Sequence, residues 1–197
     1  MRVAATSVAM SKCRYFLLLA CISTGSGAAE FNEVQTGKST LTFAYRQMNV
    51  PMEGKFNKFS ARIAFDPAKA NSAQARIEVD LASIDTGFSD SNDEIAGKLW
   101  FNAKTFPAAQ FVSTSVKALG NNRYEALGKL TIKGKSLDVA APFTVRQEGV
   151  VAIFDGTFSL RRLDYAIGEG IWADLGTVAN EVRVVFHIVA SAAPARK

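Results

Sequence analysis

The chain is nearly empty of the residues on which metal and thiol chemistry depend. In 197 residues it holds one histidine, His187, and two cysteines, Cys13 and Cys21. A single imidazole leaves no His/Cys metal site, and the acidic residues lack the spacing of a calcium loop. Both cysteines fall within the first 21 residues, so the rest of the chain has no disulfide, thiolate site or thiol nucleophile. Proline is scarce, at five, and no low-complexity block appears, which excludes a disordered or collagen-like chain. The apolar run Tyr15 to Ile22 falls far short of the roughly 20 residues that cross a bilayer.

That run belongs to a leader. Residues 1–29 contain Arg2, Lys12 and Arg14, no Asp or Glu, the apolar run, and then small residues from Ser23 to Ala29. A basic head, short apolar middle and small-residue end are what export machinery and signal peptidase recognise. Cleavage is expected after Ala29, with Ala28 the alternative. Leu18-Leu19-Ala20-Cys21 also has the form of a lipobox, but the short run before Cys21 favours a discarded cysteine over a lipid anchor. Removing the leader leaves 168 residues with 20 Lys+Arg against 18 Asp+Glu, so the net charge falls from +5 to +2. The basicity is mostly leader and gives no reason to expect a nucleic-acid partner.

What is abundant is period-two alternation. Leu41, Phe43 and Tyr45 alternate with polar neighbours, as do Ala75, Ile77, Val79 and Leu81. The pattern returns from Tyr124 to Ile132, Leu137 to Val145, Ala152 to Leu160 and Val182 to Ala190. Ala109 to Val116 is strand-like, and Met52 to Phe65 is a strand whose phase flips near Asn57-Lys58, where a bulge is expected. Asp66-Pro67, Gly120-Asn121-Asn122, Lys133-Gly134-Lys135 and Glu148-Gly149 supply the turns. Near residues 90–107 the rhythm breaks. Ser91-Asn92-Asp93-Glu94 has the form of a capping box, and Ile95 and Leu99 follow at helical spacing before Phe106-Pro107. The expectation is an all-β, eight-stranded antiparallel lipocalin-like barrel over residues 30–190, one short helix across its end, and a frayed tail at 191–197.

Eight strands close into a barrel just wide enough to be filled by side chains or to hold one small ligand. Beyond residue 29 the chain has 13 Phe, 3 Tyr and 2 Trp. Phe56, Phe59, Trp100, Phe101, Phe106, Phe111, Tyr165 and Trp172 gather where strands would meet the helix. Gly54, Gly128 and Gly156 fall in inward phase and remove volume there. Aromatic walls beside side-chain-free positions leave an apolar channel for a long hydrocarbon chain, while periodicity alone favours the plainer reading that the same rings fill a solid core.

Several segments match more than a fold class. Ser39 to Phe59 resembles the opening of YceI-like proteins, with a strand, a turn and an apolar-x-Gly-x-Phe-x-x-Phe stretch. Ile63 to Pro67, Ile77 to Thr86, Trp100 to Phe111, Gly128 to Gly134 and Phe158 to Trp172 resemble later blocks of that family in order. The resemblance implies a periplasmic lipocalin-like binding protein, without cofactor or catalysis. It would carry a long-chain isoprenoid-type lipid, a polyprenyl phosphate or a quinone. The implied chain-lining set is Phe43, Tyr45, Ile77, Leu130, Phe143 and Phe158 on the strands, with the clustered aromatics above. A homodimer and a quinone-linked membrane partner stay open. Many family members have histidine where this chain has Gln47, and R-D-x-H-L where it has Ser91 to Ile95.

Other signals carry less. Gly37-Lys38-Ser39-Thr40 lacks the upstream glycine and following helix of a phosphate loop. His187 lies out of phase with Val184, Phe186 and Ile188 and faces outward. Asp93, Glu94, Asp164, Glu169 and Asp174 sit on irregular segments, where a carboxylate pair would support a hydrolase or isomerase. A cargo-free envelope stress protein is the third alternative.

Overall fold

The alternating segments become strands of one antiparallel sheet. The computed structural model describes residues 30–192, so the leader, its cleavage point, Cys21 and residues 193–197 lie outside the described residues. In chain order the strands begin with β1 (Phe31–Val34), β2 (Thr40–Gln47), β3 (Val50–Phe56), β4 (Phe59–Ala64), β5 (Gln74–Asp80) and β6 (Ile84–Asp85). Helix α1 (Ser89–Ala96) follows. Then come β7 (Ala108–Gly120), β8 (Arg123–Ile132), β9 (Lys135–Glu148), β10 (Val151–Arg161) and β11 (Glu181–Ala192). The sheet order is β4-β5-β7-β8-β9-β10-β11-β2-β3-β6, with β1 also on β11.

Among the described residues eleven strands replace the expected eight, for local reasons. The phase flip at Asn57-Lys58 is a corner, not a bulge: β3 pairs with β2 and β6, whereas β4 pairs with β5. The corner is pinned by Asn57 N donating to Ser83 O (3.0 Å) and Lys58 N to Ser83 Oγ (3.0 Å). Short β1 and β6 add the other two. The sheet curls until its β4 edge reaches β1 on β11. Phe31 bridges Phe65, with paired backbone bonds of 2.9 and 3.2 Å, and so joins β1 to β4. The ladder between β9 and β10 stops at Gly156↔Phe143. The next residue of β9 is Pro142, which has no N–H to offer. Beyond that point β10 runs on along β11 alone to Arg161.

β11 continues through Ser191 and Ala192, paired to Val151 and Phe31, two residues into the segment expected to fray. The helix also begins earlier than the capping box suggested. Phe88 precedes the first turn and supplies no side-chain cap. Ser91 lies inside the helix, and Asn92 Oδ1 instead accepts from Thr86 N and Thr86 Oγ1, both at 2.8 Å, tying the helix to the end of β6.

One end of the curled sheet is sealed by rings. Phe65 meets Tyr124 and Phe154 edge-on, each at 5.2 Å and 89°, while Tyr124 stacks on Phe143 at 5.4 Å. Phe31, Ala152, Ile188 and Ala190 around them are buried. The other end gathers α1, the loop after it, the β2–β3 and β8–β9 turns, and the long segment between β10 and β11.

Candidate lipid-binding cavity

The inward side chains do not fill the space that the sheet encloses. Tyr45, Phe56, Ile77, Phe158, Leu160, Val182, Val184 and Phe186 all face the core yet are only half-buried. A packed interior would bury such residues almost completely. They border a cavity of about 420 Å³, inside the usual range for ligand pockets.

The glycines explain why the rings leave this space open, and they act differently from simple volume removal. Phe43 is the cross-strand partner of Gly54, and Phe186 that of Gly156. The Phe43 ring lies so close over Gly54 that a Cβ there would overlap it, and Phe186 covers Gly156 in the same way. Gly128 is covered by Phe111, whose ring would lie 2.6 Å from an added Cβ. Each glycine lets one ring lie flat against the sheet instead of projecting across the lumen. Cross-strand aromatic cover of a strand glycine is a known stabilising device; here it also hollows the barrel.

Of the fourteen residues expected to line a chain, eleven border the cavity: Phe43, Tyr45, Phe56, Ile77, Trp100, Phe101, Phe111, Leu130, Phe143, Phe158 and Trp172. Three do not. Phe59 opens β4 at the corner and packs against both the core around the cavity and the ring-sealed end. Phe106 leans over the β8–β9 turn, its Cε1 3.1 Å from the position of a Cβ on Gly134, whose φ of +75° suits glycine. Tyr165 is buried behind the wall, with no partner for its hydroxyl; burial, aided by Asp164, pushes its pKa up to about 12. The expectation missed Leu160, Val182, Val184, Phe186 and Ile188, although their period-two phase was plain in the sequence.

The cavity roof is built around Arg162, which is 1% exposed and forms no ion pair with a carboxylate among the described residues. All five of its N–H groups are spent on backbone carbonyls. Nε donates to Ala179 O (3.1 Å), one terminal nitrogen to Ile167 O and Gly168 O (2.9 and 3.0 Å), and the other to Trp172 O and Val178 O (both 2.7 Å). One side chain thus shapes the whole segment from 167 to 179, and its guanidinium lies 5.6 Å from the Trp100 ring. Burial pulls its pKa below the ordinary arginine value. With no donor free, Arg162 offers a ligand field but no hydrogen bond. Its signal was legible: it continues the inward phase of Phe158 and Leu160.

Trp100 and Trp172 lie 5.5 Å apart over the cavity, and Trp172 Nε1 donates to Glu94 Oε1 on α1 (2.8 Å). Lys133 Nζ, from the β8–β9 turn, donates to Lys98 O, Ala166 O and Glu169 Oε2 at 3.2, 2.8 and 2.7 Å. These contacts join the helix, its following loop and the segment after β10 into one cover. Polar lining is confined to a few groups, among them Gln47, Asp90, Ser91 and Glu94. Of the other carboxylates weighed for catalysis, three are engaged separately, Glu169 with Lys133, Asp174 with Thr177 (2.8 Å) and Asp164 with Arg161 (3.8 Å), and Asp93 is exposed on α1. His187 sits on the outer face, its Nδ1 2.6 Å from Asp155 Oδ1. Among the described residues no group of three or more His, Cys, Asp or Glu side chains could hold a metal.

A curled antiparallel sheet around an apolar cavity defines a lipocalin-like architecture. The sequence matches the YceI-like domain over residues 33–190, and the chain belongs to that family. A UPF0312 protein of Pseudomonas fluorescens is 33% identical over 140 residues, covering 66% of this chain and 69% of its own. The crystal structure of Burkholderia cenocepacia BcnA superposes with a TM-score of 0.79 at 47% identity, covering 81% of this chain and 100% of BcnA. A polyisoprenoid binding domain from Saccharophagus degradans, implicated in plant cell wall breakdown, shares the fold with a TM-score of 0.64. It is 16% identical, and the match covers 85% of this chain and all of that domain.

Proposed function

We propose that this protein binds and carries a long-chain isoprenoid-type lipid, a polyprenyl phosphate or a quinone, in the periplasm. The observation that carries the reading is the unfilled apolar cavity, walled by flat-lying rings inside a YceI-like fold. The polyisoprenoid binding described for the Saccharophagus domain supports the ligand class. The basic, apolar and small-residue order of residues 1–29 supports export. Binding rests on buried area: each methylene moved from water into the cavity gains ~0.8 kcal/mol before association costs are met. It is a binding role, and no bond is made or broken. Lipid extraction and mass spectrometry of protein purified from its own cell envelope test it. One equivalent of a long-chain isoprenoid is the expected result; protein that emerges empty and takes up no added polyprenol contradicts it.

A further inference from the structure

Among the described residues ten large apolar side chains are exposed, and six stand together at the covered end of the barrel: Met48, Val50, Phe88, Leu99, Ile171 and Leu175. They come from four separate loop tips that the structure ties into one rim. Met48 N donates to Thr177 O (2.9 Å), joining the β2–β3 turn to the tip that bears Leu175. Gly168 N and Glu169 N both donate to Leu99 O (2.9 and 2.8 Å), joining the loop after α1 to the tip that bears Ile171. Phe88 stands at the start of α1, whose Glu94 holds Trp172. Ile171 is 78% exposed and Met48 71%. Met48 also adopts a φ of 48°, a conformation for which asparagine or glycine is the unstrained choice. Among the described residues the sealed end offers Leu119, at the end of β7, and Val150.

We propose that this rim docks the protein onto a lipid bilayer, dipping its apolar tips into the interface so that the chain of a lipid passes directly between membrane and cavity. The proposal rests on the carrier reading. The rim is continuous with the cavity cover, because Trp172 lines the cavity while its neighbour Ile171 points to solvent. Six side chains on four tips fall short of the roughly 20–30 residues a side that a stable protein interface uses. Isolated apolar tips suit the headgroup boundary of a membrane, where each inserts without needing a complementary surface. The same end carries exposed Lys98 and Lys104 beside exposed Asp90, Glu169 and Asp174, so its charge is mixed. A neutral phosphatidylcholine surface is therefore the fitting partner, and binding should change little with salt.

Flotation of the full mature protein with phosphatidylcholine vesicles tests this, comparing wild type with I171E/L175E and with L119E/V150E at the sealed end. Wild type floats with the vesicles. I171E/L175E reduces the bound fraction at least tenfold and slows lipid uptake from vesicles to the same degree, while L119E/V150E behaves as wild type. Polyprenol supplied from solution binds all three equally, which separates the docking surface from the cavity. Wild type that stays with the soluble fraction overturns the docking proposal alone, as does an equal loss at both ends. Loss of binding to polyprenol from solution by wild type itself overturns the carrier reading. If sedimentation shows a dimer that I171E/L175E dissolves without changing flotation, the rim is an interface between copies and the membrane proposal fails.

Discussion

Replacing Gly54 with alanine should cost the protein its cargo far more than its fold. The three atoms nearest to an added Cβ all belong to the Phe43 ring, and Phe43 borders the lumen. The ring can therefore swing away, but the space into which it swings is the cavity. Introducing a methyl group into a packed site costs ~1–3 kcal/mol, and here the low end applies because the ring has somewhere to go. Against this, alanine in a strand gains ~0.5–1 kcal/mol over glycine, so net stability should change by less than about 1 kcal/mol. A displaced ring that removes two methylenes' worth of chain contact loses ~1.6 kcal/mol of binding at ~0.8 kcal/mol per methylene, more than a tenfold weaker Kd. Gly156→Ala is the contrast. There Pro142 O would also stand 2.6 Å from the new Cβ, so strand backbone must move and stability should fall as well. Urea unfolding and polyprenol titration of both variants read the two quantities separately. Unchanged affinity in Gly54→Ala would refute the argument that flat-lying rings keep the lumen open.

Arg162→Met leaves the carbonyls of residues 167, 168, 172, 178 and 179 without their donor. Three of these bonds are buried, and at ~1 kcal/mol or more for each acceptor that water cannot reach a loss of at least ~3 kcal/mol is expected. In thermal melting this is a drop on the order of 10 °C; a drop of only a degree or two would contradict the account of the roof. Glu169→Gln should flatten the acid limb of stability. The hydrogen bond and charge of Lys133 hold the Glu169 carboxyl below its usual range. The unfolded chain therefore takes up the proton first. The contribution is complete above the ordinary glutamate pKa of about 4.3 and is lost as pH falls through the depressed folded value. Wild type should therefore melt above the variant at neutral pH, with the gap closing as pH falls through that window, and parallel curves across the whole range would argue against it.

The fold was legible wherever one face of a strand is apolar, because period-two alternation is set by the pleat itself. Val182 to Ile188 and Ala152 to Leu160 lie in β11 and β10 at the expected phase. Pairing partners were less legible. Nothing local in Asn57-Lys58 distinguishes a bulge from a corner, which depends on Ser83 far along the chain. The helix start was misplaced because Asn92 and Glu94, good capping residues by type, are engaged with Thr86 and Trp172 instead. At the site, the aromatic inventory pointed to the right end of the barrel, but composition cannot distinguish a filled core from a hollow one. That difference rests on the orientation of Phe43, Phe111 and Phe186 over three glycines, a cross-strand relation. Tyr165 and Phe106 were drawn in by residue type, although their neighbours turn them behind the wall and over the β8–β9 turn.

Trp100 and Trp172 are the chain's two tryptophans, and both border the cavity. Titrating the purified protein with a polyprenol brominated along its chain therefore places a heavy-atom quencher against every indole at once. The account predicts saturable quenching of nearly all the tryptophan emission at one equivalent of lipid. Full emission in the presence of excess brominated chain, from protein whose circular dichroism shows an intact sheet, would contradict it.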